Sequence, residues 1–159
     1  MNLFEIAIKA AWDEINTPES FVKGDEFESY VQSHLFPKDK YTLLRKTRKY
    51  KVNKGDFVES TKEPDYKFKS IKSGRVFFVE AKYRSSYFEC EPYQLKRYKE
   101  IDKKTPVYIL IGIGQQPSAP EQIFLVPVKD IEYLRLFRSF LASYEISVDT
   151  AVDESHLRF

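Results

Sequence analysis

The chain has 159 residues, 42% of them hydrophobic and 16% aromatic, which suits one folded domain with a sizeable core and excludes an intrinsically disordered chain. A single cysteine, Cys90, rules out an internal disulfide and points to a reducing cytoplasm, and two histidines, His34 and His156, argue against a zinc or histidine–metal centre. Net charge is only +2, yet residues 38–54 hold eight bases against one acid while residues 1–30 hold seven acids against two bases.

The opening segment MNLFEIAIKAAWDEI carries apolar residues at 4, 8, 12 and 15 among Glu5, Asp13 and Glu14. This spacing predicts an amphipathic helix over 2–16 packed on the domain, and the missing basic leader argues against a signal peptide. No apolar run approaches the roughly 20 residues of a membrane span, so a soluble protein with no membrane partner is expected. Pro18 breaks the pattern, and a second helix follows over 21–36, where Phe27, Tyr30, Val31 and Leu35 recur at helical spacing before Pro37.

Three strands are expected next, at 41–47, 65–71 and 75–83, with Ser73-Gly74 as the tight turn of a hairpin between the last two. Residues 91–104 open with Pro92 at a first helical position and predict a helix. The segment PVYILIGIG at 106–114 is almost wholly apolar, as a strand covered on both faces would be. A strand at 122–128 and a last helix over about 130–144, capped by Asp130, complete the order. The whole reads as one α/β domain, 1–159, with a mixed sheet flanked by helices.

One stretch conflicts with plain burial. In RVFFVEAKYR, residues 75–84, a strand that begins Val, Phe, Phe, Val carries Glu80 and Lys82. Residues two apart share a face, so Val76, Phe78, Glu80 and Lys82 lie on one side and Phe77, Val79, Ala81 and Tyr83 on the other. A surface ion pair contributes at most about 1 kcal/mol, so the buried context is what sets this pair apart. Upstream, Pro64-Asp65 opens the neighbouring strand. Asp65 either starts a turn or comes beside Glu80, and two carboxylates so placed would repel unless a divalent cation such as magnesium lay between them.

The Pro64-Asp65 pair, followed fifteen residues on by Glu80-Ala81-Lys82 at the end of a hydrophobic strand, resembles the PD-(D/E)XK nuclease superfamily. The acid Glu28 on the second helix is similar to the family's first-helix acid. Gln94 and Tyr98, at i and i+4 on one helix face, resemble the Q-x-x-x-Y element of exonuclease-type members. The resemblance covers about residues 20–114 and implies a restriction-endonuclease-like core of α-βββ-α-β order. The helix at 2–16 and the strand plus helix at 121–144 are then additions and a candidate homodimer interface.

The resemblance further implies a metal-dependent nuclease acting on DNA, with RNA left open. Asp65, Glu80 and the Ala81 carbonyl would hold Mg²⁺ or Mn²⁺, and Glu28 would hold a water at the metal or join a second metal site. Lys82 would orient the attacking water, stabilise transition-state charge or act as base. Gln94 and Tyr98 would contact the phosphate backbone or steady the site. The basic run Arg45, Lys46, Arg48, Lys49 and Lys51 would bind the backbone, and Tyr41 and Tyr50 are candidates for base stacking. Two rivals remain: a non-catalytic nucleic-acid-binding or scaffold protein of the same fold, and a small α/β protein-interaction module.

Overall fold

The computed structural model describes residues 18–47, 63–86 and 88–159. The expected helix at 2–16, together with Arg48, Lys49, Tyr50 and Lys51, lies outside the described residues. Helix α1, Pro18–Tyr30, runs on through a π-helical turn, Val31–Leu35. Strands β1 (Tyr41–Lys46), β2 (Tyr66–Ser70) and β3 (Val76–Arg84) then form an antiparallel meander. The loop between β2 and β3 is longer than the tight turn expected from the sequence. Ser70 N donates to Arg75 O, and four residues lie between them, with Gly74 at φ 77° supplying the left-handed conformation that a side chain resists.

A two-residue strand β4 (Phe88–Glu89) precedes helix α2, Pro92–Asp102. Glu91 caps α2 by accepting from the amides of Tyr93 and Gln94, satisfying donors that a helix start leaves open. The helix is the crossover that lets β5 (Val107–Ile113) return parallel to β3, as a parallel pair requires. Strands β6 (Gln122–Pro127) and β8 (Glu145–Ile146) complete a sheet of order β1-β2-β3-β5-β6-β8.

The alternation along β3 and β5 divides the core into two layers. Phe77, Val79, Tyr108 and Leu110 pack with Phe27, Val31 and Leu35 of the first helical segment. Phe78, Ile109 and Ile111 pack with Leu95 and Tyr98 of α2. Every residue of β5 is buried, as its unbroken apolar run implied. Gly112 belongs to the first layer: a Cβ there would stand 2.4 Å from Phe27 Cε1, so the missing side chain is what lets α1 approach the sheet.

The helix expected over 130–144 is not formed. Short strand β7 (Arg135–Leu136) pairs with β4, and the one-turn helix α3 (Arg138–Leu141) follows. Leu136 is buried against Phe88 and Leu141 in the second core layer, and this packing outweighs the weak helical periodicity of the segment. A last single-turn helix, α4 (Glu154–Leu157), belongs to a C-terminal segment that docks on the first layer. Val152 N donates to Leu35 O at 2.9 Å, and Tyr41 Oη donates to Val152 O at 2.6 Å. Tyr41 is thereby committed to the core rather than to base stacking.

Candidate active site

The β2–β3 register pairs Tyr66 with Val79, which sets Asp65 opposite Glu80. Both carboxylates are fully buried, at 0% exposure. Charges so placed need partners, since an uncompensated buried ion costs several kcal/mol, on the order of the effective penalty for an ion pair's members. The two strands supply them reciprocally. The Asp65 amide donates to Glu80 Oε1 at 3.0 Å, and the Ala81 amide donates to Asp65 Oδ2 at 2.8 Å. Thr47 pins the entry to β2: its amide donates to Asp65 O at 2.7 Å and its hydroxyl to Pro64 O at 2.9 Å.

Glu80 gathers three further donors. Lys82 Nζ lies 3.0 Å from Oε2, with its side chain 20% exposed. Gln94 Nε2 donates to Oε2 at 3.3 Å, and the Tyr98 hydroxyl also bonds this carboxylate. Burial first, and then the charges of Glu80 and Asp65, hold the Tyr98 phenol well above its usual range, so it remains a donor. The helix pair Gln94–Tyr98 thus faces the sheet and steadies Glu80. Lys82, one step further along the same face, is the cation that reaches toward solvent.

Glu28 approaches from the α1 side. Its Oε2 is 3.9 Å from Lys46 Nζ, and its backbone carbonyl accepts from the Tyr66 hydroxyl at 3.2 Å. Burial, followed by the charges of Glu28 and Asp65, also raises the Tyr66 phenol. Among the described residues, no three Asp, Glu, His or Cys side chains converge as metal ligands, so Glu28 does not complete a three-acid cluster. The Asp65–Glu80 pair nonetheless fits magnesium, which takes one or two carboxylates and fills its remaining positions with water and phosphate oxygens.

A bulge between Leu43 and Arg45 shifts the β1 register, so Arg45 pairs with Lys67 and Lys46 with Tyr66. Arg45 accordingly falls on the Asp65–Glu80 face, where it meets Glu63 at 3.0 Å, whereas Lys46 lies over the Tyr66 ring on the α1 side, 5.8 Å from its centroid. Arg45 and Lys46, the two described residues of the basic run, therefore lie on opposite faces. Lys67, which the sequence reading passed over, shares the face of Asp65 and sits 5.4 Å from the Phe78 ring centroid. The alternation in DYKFK was the signal that could have found it.

No protein-family model matches the chain, and no curated protein does. Among solved structures it is similar to Hjc, a Holliday junction resolvase from Archaeoglobus fulgidus, an archaeal hyperthermophile. The match has a TM-score of 0.52 and 14% identity over 78% of this chain and 90% of that one. With the α-βββ-α-β order already in place, the chain adopts a restriction-endonuclease-like fold.

Proposed function

We propose that the chain is a metal-dependent nuclease that hydrolyses phosphodiester bonds of DNA. The observation that carries this reading is a pair of fully buried carboxylates joined across two strands, with an ammonium group 3.0 Å away on the solvent side. Asp65 and Glu80, with the Ala81 carbonyl, would hold Mg²⁺ or Mn²⁺, which supplies Lewis-acid polarisation of the phosphate and acidification of an attacking water. Lys82 orients that water and offsets charge developing on the phosphate oxygens. Gln94 and Tyr98 fix the orientation of the Glu80 carboxylate beside Asp65 and Lys82. Glu28, held at Lys46, acts through a water rather than as a direct ligand. Arg45 and Lys67 bind phosphates on the approach to Asp65.

The likeness to a junction resolvase supports DNA as substrate and makes branched DNA the first form to try. The test incubates plasmid, linear and four-way junction DNA with the protein and Mg²⁺ or Mn²⁺. Cleavage that disappears with chelator and in Glu80→Gln and Lys82→Met, with folding retained by circular dichroism, supports the proposal. A second reading is favoured by the number of donors Glu80 already has: a binding or scaffold protein in which the charges serve only each other. Salt-sensitive DNA binding that needs Arg45 and Lys67, with no cleavage under any metal, would establish it.

A further inference from the structure

A cavity of about 210 Å³ opens beside the α2-side face of the sheet, lined among others by Ile113, Phe124, Arg135, Phe137, Arg138 and Ser86. Its walls are apolar, and two guanidinium-bearing side chains stand at its rim. Phe137 leaves 59% of its surface exposed, with the Arg135 guanidinium 5.9 Å from its ring centroid. The register connects this cavity to the acids. Glu80, Lys82 and Arg84 share one face of β3 and pair with Ile109, Ile111 and Ile113 of β5. The cavity wall at Ile113 is therefore one two-residue step beyond the level of Lys82, about 6.6–7 Å along the strand.

An exposed aromatic ring over an apolar slot, with arginines beside it, suits a ligand that is flat, apolar and anionic at its edges. A nucleic acid strand meets that description only where its bases are out of the duplex stack, since pairing and stacking otherwise hide both faces. We infer that this cavity accepts an unpaired nucleobase of the DNA substrate, stacked on Phe137, with the flanking phosphates on Arg135 and Arg138. The inference rests on the nuclease reading of the Asp65–Glu80 pair. The chain would then select branched or frayed DNA by the unpaired base beside the cut, without reading sequence.

The experiment uses the full chain in chelator with forked DNA carrying 2-aminopurine either in the unpaired arm near the fork or in the paired arm. Binding should change the fluorescence of the unpaired probe and leave the paired probe unaffected. Phe137→Ala should abolish that signal and lower the fork-to-duplex affinity ratio about 5- to 150-fold, the range of one base–aromatic stack. Arg138→Ala should reduce the salt slope of fork binding by about one phosphate contact. Equal affinity ratios in the parent and Phe137→Ala overturn the inference while leaving cleavage, and the nuclease reading, intact. Dissociation of a dimer by Phe137→Ala without an effect on the probe also overturns it, assigning the surface to a second copy of the chain. Absence of binding to any DNA, in chelator and with Mg²⁺ alike, overturns both readings together.

Discussion

Replacing Lys82 with Met keeps the aliphatic stem of the side chain and removes its charge, leaving the Glu80 carboxyl group at 0% exposure without the ammonium group now 3.0 Å away. Breaking a buried ion pair from one side costs about 3–5 kcal/mol. The low end, about 3 kcal/mol, applies here. The Lys82 side chain is 20% exposed, and the Asp65 amide, Gln94 and Tyr98 still bond the carboxylate. For a chain of this length that is a fall of about 6–12 °C in Tm, measured calorimetrically in chelator. Adding Glu80→Gln should recover at least half of the loss, because the neutral amide no longer needs a cation. A saturating divalent ion should stabilise the single variant by about 2.7 kcal/mol at a hundred times its Kd. A shift below about 2 °C, or a double variant no more stable than the single one, would refute the burial argument.

Tyr98→Phe deletes a hydroxyl bonded to a charged acceptor and should cost about 1.5 kcal/mol in urea denaturation. The same variant bears on alkaline stability. Burial raises the phenols of Tyr41, Tyr66, Tyr98 and Tyr108 from 10.0, so above that pH the unfolded chain releases protons that the native one keeps. Stability should be complete below about pH 10 and fall as pH rises, with a shallower fall in Tyr98→Phe. Cys90 follows the same sign: burial, against the pull of Lys82 and Lys99, pushes its thiol up to about 11, so native alkylation at pH 8 should run about 100-fold slower than in urea. Gly112→Ala drives a methyl within 2.6 Å of two Phe27 ring atoms and should cost about 1–3 kcal/mol, shifting α1 and with it Glu28.

How much of this was legible in the sequence differs element by element. The three-strand meander, α2 with Pro92 and the buried β5 follow from local pattern, because each is long enough for its period to show. The neighbourhood of Asp65 and Glu80 did not follow from the hairpin alone: a tight turn at Ser73-Gly74 would set Asp65 opposite Lys82, and the longer loop shifts the register by two residues, which keeps the faces and brings Tyr66 to Val79. Residues 130–144 did not follow, since Phe88 and Leu136 meet through a two-residue ladder too short to leave a pattern. The bulge in β1 was equally hidden. Nothing local marks it, yet it decides that Arg45, and not Lys46, shares the face of the acids. The pairing of Gln94 and Tyr98 on Glu80 was suggested by helical spacing, but the identity of their acceptor came only from the packing of α2 on β3.

Manganese titration followed by electron paramagnetic resonance tests the central claim most directly, because free Mn²⁺ gives a sharp signal that binding removes. The account predicts saturable binding by the full chain, strengthened by added DNA and weakened at least about tenfold by either Asp65→Asn or Glu80→Gln, the scale on which losing a ligand or its support acts. Equal affinity in parent and variants, or no bound manganese even with DNA present, would contradict it.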